Sequence, residues 1–412
     1  MRALGVLGVF LGVLHSFLVS FTNKQVPEPY MDEIFHIDQV RRFCSLDFRY
    51  VTWNEKITTP PALYILSLFG LCGHERYTNS LLIPFFYVGA IRFRKQFLIE
   101  KRLYSTALIV LLFPVLFHSS LLYYTDLLSV TVLLWGFSCS SPGWASIFFL
   151  FAVLTRQTNI IWAGLYGGVN LIHIIDPNNF FQSFIHGLMR LRALILLALG
   201  FVVFFILNNF RIVLGDHHAH EPKLHIMQLC YFFSFTCILA APYFFFTGHL
   251  KKALREFFVH PLRSLCFCAV MACCAYFFTI EHPYLLADNR HFTFYIWRKW
   301  FRRHWICRYV VAPFYLYCFY LIRCSVKHIA SHITLLSLLA IAAVLVPLPL
   351  FETRYFIVPF VLWRLCLTDN TKVSLVVELL YAVGINLIVL YLFFLKPFVW
   401  KHEPGALQRF MW

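Results

Sequence analysis

Apolar runs recur along this chain and limit what it can fold into. Of its 412 residues, 60% are hydrophobic and 13% are charged, whereas soluble domains usually carry about 25% charged residues. The runs at 3–21 and 373–395 reach the length of about 20 residues that a helix needs to cross a bilayer. Because a helix satisfies its own backbone hydrogen bonds in lipid, we expect an all-α polytopic membrane protein.

The distribution of positive charge predicts how these runs are oriented. Arg2 stays cytosolic, so the chain from Thr22 onward enters the lumen. The basic residues after 81–91 are also expected in the cytosol, which allows only one crossing before them. The short run 62–72 should therefore lie along the lumenal surface. The sequence predicts about 13 transmembrane helices in one integral membrane domain, 1–412. Its first lumenal loop, 22–77, should carry juxtamembrane helices.

The net charge and the cysteine content bear on the partners and the disulfides to be expected. The net charge is +16, but no basic domain lies outside the apolar runs, so nucleic acid is not an expected partner. Lys and Arg in cytosolic loops near anionic lipid headgroups account for the charge. Most of the 13 cysteines lie in apolar runs, where cysteine behaves as a small hydrophobe. Cys44 and Cys72 fall in the predicted lumenal loop; a disulfide between them is possible but is not our expectation.

An acidic pair follows the first apolar run. Asp32 and Glu33 lie beside a membrane span, and in a helix either one shares a face with His36. A carboxylate at such a position can act as a general base that takes the proton of an attacking hydroxyl. Either carboxylate could be that base. The alternative is a solvated helix start, where the helix dipole favours acidic residues.

The remaining polar clusters fall on the predicted lumenal side. Arg156 and Arg354 lie at the edges of apolar runs, where charges are functional candidates by default. For Arg354, a local ion pair with Glu352 is the alternative. Asp126 is expected to cap the next span. The stretch 298–303 is strongly basic although it is predicted to be lumenal, so either it binds phosphate or a nearby span is misplaced.

The histidine-rich interval 217–225 suggests a metal site at first sight. Its histidines lack the i, i+4 spacing of a helical zinc pair, and no H-E-x-x-H sequence is present. We therefore predict no metal and no cofactor. Histidines that donate hydrogen bonds or contact phosphate are the preferred interpretation for His220 and His225.

Five motifs carry a resemblance to a known family: MDEIFHIDQ from Met31, KITTPPALY from Lys56, TRQTNIIW from Thr155, ADNRHFTFYIWR from Ala287 and ETRYFIVPF from Glu352. In these motifs the chain resembles the endoplasmic-reticulum α-1,2-glucosyltransferase family, which uses dolichyl phosphate glucose. The resemblance implies an inverting glycosyltransferase of the GT-C type. It implies dolichyl phosphate glucose as donor and a diglucosylated dolichol-pyrophosphate oligosaccharide as acceptor. The product would carry a terminal α-1,2-linked glucose, made at a lumenal active site of the endoplasmic-reticulum membrane.

The resemblance also favours Asp32 over Glu33 as the base. The candidate substrate-binding residues are His36, Arg156, Gln157, Asn159, His220, His225, Asp288, Asn289, Arg290, His291, Glu352, Arg354 and Tyr355. Two rival functions stay open. One is a sibling mannosyl- or α-1,3-glucosyltransferase. The other is a lipid transporter, scramblase or channel-associated protein, but a transporter would predict charges near mid-membrane and repeated halves.

Overall fold

The computed structural model of the protein describes residues 2–45, 52–96, 102–216 and 221–412. Helices dominate it. The first eleven helices are α1 (Arg2–Gln25), α2 (Glu33–Cys44), α3 (Ala62–Ser67), α4 (Tyr77–Gln96), α5 (Leu103–Leu111), α6 (Pro114–Ser120), α7 (Asp126–Phe137), α8 (Pro142–Val153), α9 (Ile160–Ile174), α10 (Phe180–Arg190) and α11 (Arg192–Leu207).

The second half of the chain is also helical and ends in a small hairpin. Its elements are α12 (Met227–Leu239), α13 (Ala241–Phe246), α14 (His249–Val259), α15 (Pro261–Phe277), α16 (Pro283–Ala287), α17 (Phe292–Ile296), α18 (Cys307–Val310), α19 (Ala312–Ser325), α20 (Ser331–Leu345), α21 (Ile357–Cys366), α22 (Lys372–Leu395), β1 (Phe398–Trp400) and β2 (Glu403–Gln408). A π-helical turn covers Trp297–Phe301.

Two of the described helices, α1 and α22, are long and apolar enough to cross a membrane alone. Three bent pairs raise this to as many as five crossings: α5 with α6 (63°), α9 with α10 (85°) and α14 with α15 (96°). Pro114 and Pro261 begin α6 and α15, and Pro177 lies in the short turn that precedes α10; proline lacks a backbone N–H and interrupts a helix. Helices α7, α8, α11, α12 and α20 are apolar but shorter. The membrane class is confirmed, whereas the count of about 13 stays a prediction.

The chain folds into two compact units. Unit 1 consists of Met1–Leu103, Ser119–His220 and Leu335–Ala340, and unit 2 consists of Tyr104–His118, Glu221–Thr334 and Ile341–Trp412. The prediction of a single domain over 1–412 stays a prediction.

In unit 1, helices α1 and α4 pack closely because α1 presents glycines. A Cβ atom added to Gly12 would lie 3.1 Å from the Ser80 carbonyl oxygen, and one added to Gly8 would lie 3.3 Å from Pro84 Cα. Small residues allow such backbone approach in apolar surroundings. His15, on the same helix, satisfies both ring nitrogens at 2.9 Å with Ser80 and Ser120.

The predicted first loop contains α2 and the six-residue α3, which is far too short to cross a bilayer. This agrees with a surface position for α3. Cys44, at the end of α2, forms a disulfide with Cys72, with Cα atoms 6.0 Å apart. This disulfide was considered possible but was not our expectation, and it forms because the turn after α3 brings the chain back toward α2. Gly70, with a φ of 90°, takes a left-handed conformation in that turn.

In unit 2, a buried ion pair joins α21 to α22. The unit ends in two strands, which the prediction of an all-α fold did not include. Arg364 on α21 donates to Glu378 on α22 at 2.6 and 2.7 Å, with both side chains buried. Strands β1 and β2 form an antiparallel hairpin whose register shifts after Val399. The run from 398 to 408 has no helical periodicity, and its contacts, described below, explain why it is ordered.

Candidate active site

Glu33 begins α2 and is completely buried, with 0% of its side chain exposed. Its Oε1 accepts hydrogen bonds from Arg76 Nε at 2.8 Å and from the Tyr123 N–H at 2.7 Å. Its Oε2 accepts from Arg76 Nη2 at 2.7 Å and from the Tyr30 N–H at 3.0 Å. These four bonds fill the lone-pair positions of a carboxylate. Glu33 is therefore a structural residue that ties three segments of unit 1 together.

Arg76 has the complementary environment. Its side chain is 5% exposed and also donates to the Val26 carbonyl at 2.6 Å, the Glu28 carbonyl at 3.1 Å and Asn23 Oδ1 at 3.0 Å. A buried ion pair is stabilising only when its remaining donors and acceptors are satisfied. This pair meets that condition, and it fixes the chain that leads from α1 into α2.

Asp32 is next to Glu33 in the chain, but its side chain is exposed whereas that of Glu33 is buried. It lies at the N-cap position of α2, is exposed to solvent, and makes no side-chain cap hydrogen bond. The preceding residue, Met31, has a φ of 58°, a left-handed conformation that is unfavourable for a residue with a side chain. The bond from the Tyr30 N–H to Glu33 closes this turn. The strained turn thus separates two adjacent carboxylates, one locked inside and one presented outward.

His36 lies one turn further along α2 and points into unit 1. It is buried, and its Nδ1 lies 2.6 Å from the hydroxyl of Tyr64, which belongs to the KITTPPALY motif. Asp32 keeps helical dihedral angles, and the His36 N–H donates to the Asp32 carbonyl at 3.3 Å, so the predicted i, i+4 relation is present in the backbone. This position favours a positioning role for His36.

The TRQTN segment is also tied into unit 1. Arg156 donates to Asp126 Oδ1 at 2.8 Å and to Thr125 Oγ1 at 3.0 Å. Asp126 lies in the first turn of α7, but Thr125 is the N-cap residue and makes no side-chain cap bond, so the predicted capping by Asp126 was wrong in detail. Because a buried carboxylate already balances Arg156, its charge is less available for a phosphate.

The next two candidates hold the backbone in place. Gln157 donates to the Thr58 carbonyl at 2.7 Å, and Asn159 donates to Ser129 Oγ at 2.9 Å and to the Ala152 carbonyl at 2.7 Å. Gln157 and Asn159 are both buried. Their amide nitrogens act within the protein, which favours a structural role for both residues.

In unit 2, Arg290 is the best-oriented cation. Its Nε and Nη2 donate to the two oxygens of Asp288 at 2.9 and 2.7 Å, and both side chains are about one-fifth exposed. Burial alone would raise the pKa of Asp288, but the bonds from Arg290 outweigh this and hold that pKa below its usual range. The ionised Asp288 therefore fixes the orientation of the guanidinium at neutral pH.

Residues 398–412 contact the segment that contains Asn289, Arg290 and His291. Sequence reasoning missed these contacts. Trp400 Nε1 donates to Asn289 Oδ1 at 2.7 Å, and the Trp400 ring lies 4.7 Å from the Arg290 guanidinium carbon. Arg290 Nη1 donates to Gln408 Oε1 at 2.9 Å. His291 Nδ1 lies 2.8 Å from the Trp412 carbonyl. These contacts explain why the hairpin is ordered, and we found no sequence pattern in 398–408 that predicts them.

A second cation of unit 2 lies in the ETRYF motif, where Glu352 and Tyr355 flank Arg354 and all three are half-buried. Arg354 Nη1 lies 3.3 Å from Glu352 Oε1, so the local ion pair predicted as an alternative is present.

Sequence reasoning missed His118, at the end of α6. It is buried, its Nε2 makes no hydrogen bond to the described residues, and it lies within electrostatic range of Arg354 and His291.

We call Arg290, His291 and Arg354 the cationic cluster of unit 2, and His118 is a buried histidine near it. Arg and His side chains with N–H groups at a partly exposed position suit a phosphate group. A signal for His118 was available, because a polar residue inside an apolar run is a functional candidate.

His225 does not belong to this cluster by charge. Burial lowers its pKa to about 4, so the ring is neutral at neutral pH. Its Nδ1 donates to the Leu348 carbonyl at 3.3 Å, and its Nε2 accepts from the Ile280 N–H at 3.5 Å. His225 therefore ties loops together, as a neutral hydrogen-bonding histidine. The prediction for His220 falls outside the described residues. Within the described ranges, no three His, Cys, Asp or Glu residues are grouped as a metal site.

Comparison with known proteins decides the family. The sequence model of the DIE2/ALG10 family matches residues 26–183 and 171–365, which include both the acidic segment and the cationic motifs. The chain belongs to the DIE2/ALG10 family. The family resemblance predicted from the five motifs is thereby confirmed.

Several curated members of this family resemble the chain over nearly its whole length. A relative from Homo sapiens is 33% identical and one from Mus musculus 31%, each alignment covering 96% of this chain and 95% of the relative. A relative from Arabidopsis thaliana is 29% identical over 95% of this chain. All three are named Dol-P-Glc:Glc(2)Man(9)GlcNAc(2)-PP-Dol alpha-1,2-glucosyltransferase. No solved structure gives a significant match.

Proposed function

We propose that this protein transfers glucose from dolichyl phosphate glucose to a diglucosylated dolichol-pyrophosphate oligosaccharide and forms the terminal α-1,2-linked glucose. The names of the family members support the donor and the acceptor. The observation that carries the chemistry is the contrast between Asp32, presented to solvent, and Glu33, saturated by four hydrogen bonds.

In this reaction the acceptor hydroxyl oxygen attacks the anomeric carbon of glucose. The bond from that carbon to the phosphate oxygen breaks, and dolichyl phosphate leaves with the bonding electron pair. The hydroxyl proton passes to Asp32, which acts as general base. Attack opposite the leaving group inverts the anomeric configuration. Asp32 suits this role because an exposed carboxylate can reach a substrate, whereas Glu33 has no lone pair left for a proton.

The leaving phosphate needs a different type of residue. We assign this role to the cationic cluster of unit 2, whose N–H groups would stabilise the negative charge that develops as the bond breaks. Asp288 orients Arg290 for it, and Trp400 and Gln408 hold the guanidinium from the other side. A phosphate ester is a good leaving group, so no second carboxylate is required, in contrast to glycoside hydrolysis.

The cellular setting follows from the same proposal. We place the protein in the endoplasmic-reticulum membrane as a GT-C glycosyltransferase with about 13 transmembrane helices and a lumenal active site. The disulfide between Cys44 and Cys72 supports this side of the membrane, because the lumen is oxidising and the cytosol keeps thiols reduced.

The test is transfer by purified protein from a labelled polyprenyl phosphate glucose to a lipid-linked acceptor. We expect one glucose to be added to the diglucosylated acceptor and an α-1,2 linkage in the product. Polyprenyl phosphate mannose and acceptors with no or one glucose are the controls. Transfer of mannose, or addition of the first or second glucose, would identify a sibling transferase. Lipid movement without transfer would identify a transporter or scramblase.

A further inference from the structure

The basic stretch at 298–303 is not used by the proposed chemistry. It begins in the π-helical turn Trp297–Phe301 and continues toward α18. From 297 to 308 the chain carries five Arg or Lys residues and no Asp or Glu. Such a concentration of charge in unit 2 needs a counter-charge from the protein, the solvent or a ligand.

Part of this stretch lines an open pocket of about 330 Å³. The lining residues are Phe301, Arg302, His304, Trp305, Arg308 and Tyr309. The volume lies at the lower end of the range for small-ligand pockets, about 300–1,000 Å³. Two guanidinium groups, an imidazole and three aromatic rings thus face the same space.

The two guanidinium groups of the pocket form long ion pairs with Glu281 but donate no hydrogen bond to a described residue. Arg302 Nε and Arg308 Nη2 each lie 3.7 Å from Glu281 Oε2, which is too far for a hydrogen bond. The same oxygen already accepts from Trp297 Nε1 at 2.6 Å. No described residue accepts a hydrogen bond from either guanidinium group. Two planar forks of N–H donors are therefore available to one ligand.

The other cations of the stretch are arranged differently. The Arg298 guanidinium carbon lies 5.6 Å from the centre of the Phe294 ring, and Lys299 Nζ lies 5.7 Å from the centre of the Tyr295 ring. Neither of them, nor Arg303, lines the pocket. The chain thus offers cations of equal charge inside and outside the pocket, which separates an effect of geometry from one of net charge.

The aromatic residues indicate where the ligand comes from. Trp305 is 71% exposed and Trp300 is 47% exposed, although Trp is among the residues that soluble proteins mostly bury. Exposed Trp beside Arg and Lys is typical of the membrane–water interface, where the ring lies at headgroup level. A ligand for this pocket therefore has a phosphate group and an apolar stem.

We propose that this pocket binds the phosphate-bearing headgroup of a membrane lipid. Arg302 and Arg308 donate to the phosphate oxygens in the paired geometry that Arg forms with phosphate. Trp305 and Tyr309 contact the first carbons of the stem. The lipid is either a polyprenyl diphosphate or an ordinary anionic phospholipid, since both present the same chemistry. The proposal does not depend on the proposed transferase function.

The experiment measures which lipids stay bound to the purified full chain in detergent, by native mass spectrometry. The probes are polyprenyl diphosphate, phosphatidic acid and phosphatidylcholine, whose headgroup cation balances its phosphate. The test variant is Arg302→Gln/Arg308→Gln. The matched control is Arg298→Gln/Arg303→Gln, which removes the same charge from outside the pocket.

We expect the test variant to retain polyprenyl diphosphate and phosphatidic acid at least tenfold less than the parent, because charge-assisted hydrogen bonds are lost. The control should stay within about twofold of the parent. Stronger retention of polyprenyl diphosphate would assign the pocket to that lipid, and equal retention of phosphatidic acid would assign it to anionic phospholipids. If the test variant does not fold, Arg308→Lys keeps the charge, removes the fork, and should still weaken binding.

Three outcomes would overturn the proposal. Unchanged retention in the test variant would show that the pocket is not the lipid site. Equal losses in the test and control variants would show an effect of net charge alone. Displacement of the lipid by an equal concentration of inorganic diphosphate would show a site for soluble phosphate.

Discussion

Two arginine–carboxylate pairs with the same two-pronged hydrogen bonding behave differently in the two units. Glu33 and Arg76 are 43 residues apart in the chain, and their side chains are 0% and 5% exposed. Asp288 and Arg290 are two residues apart, and 19% and 20% of their side chains are exposed. The first pair joins distant segments of unit 1, whereas the second orients one guanidinium within a loop of unit 2.

The difference shows how one type of interaction can serve structure or binding. A buried pair with all its donors and acceptors filled contributes to stability and has no capacity left for a substrate. A partly exposed pair that is local in the chain contributes less to stability but holds a cation ready for an anion at low entropic cost. We therefore expect substitutions in the first pair to change stability and those in the second to change substrate affinity.

The largest expected loss of stability follows Arg76→Met. It leaves Glu33 buried without a counter-charge, and breaking a buried pair in this way costs about 3–5 kcal/mol of unfolding free energy. The control is Arg42→Met, because Arg42 and Asp38 form a similar pair at 2.8 Å that is well exposed. The control should cost less than about 1 kcal/mol. Chemical denaturation of both purified variants measures the difference, and equal stability would refute the structural role of Glu33.

A somewhat smaller effect is expected from Cys44→Ser/Cys72→Ser. The disulfide closes a loop with a sequence separation of 28, for which chain entropy predicts about 3–4 kcal/mol of stabilisation. We expect a lower unfolding midpoint for this variant and for the reduced parent, while Cys266→Ser should leave the midpoint unchanged. Free thiols at Cys44 and Cys72 in a non-reduced alkylation experiment would contradict the pairing.

Arg290→Ala should act on binding. Losing its charge-assisted bonds to a phosphate is worth about 1.5–3 kcal/mol, or roughly a 10- to 150-fold increase in KM for the donor. The unfolding midpoint should change less than for Arg76→Met, since the Arg290 pair is partly exposed and joins residues of one loop. Arg263→Ala, an exposed arginine of the same unit, is the control. Steady-state kinetics with polyprenyl phosphate glucose measure the effect. A large loss of stability with unchanged KM would place Arg290 with the structural pairs.

The smallest effect is expected from metal removal. N–H donors can hold the leaving phosphate without a divalent ion, so transfer should continue at the parental rate in excess chelator. Assays with and without chelator measure this directly. Complete loss that one specific metal restores would show that the cationic cluster is not sufficient.

The sequence predicted the membrane class, a run at 62–72 too short to span and the motif that contains the Asp288–Arg290 pair, because apolar periodicity and charged residues are local signals. It did not separate Asp32 from Glu33 by residue chemistry, since the partners of Glu33 at Arg76 and Tyr123 are distant in the chain. The support of Arg290 by Trp400 and Gln408 was missed for the same reason. The bends within three apolar segments, where prolines interrupt the helices, were not predicted.

The central claim is that the two adjacent carboxylates have separate roles, with Asp32 as base and Glu33 as a structural residue. Single-turnover glucose transfer by Asp32→Asn and Glu33→Gln, normalised to folded protein, tests it most directly. We predict that Asp32→Asn lowers the rate by about 10²- to 10⁴-fold at parental stability. Glu33→Gln should lose stability but transfer glucose within a factor of a few of the parent. Transfer by Asp32→Asn at nearly the parental rate would contradict the account and place the base elsewhere.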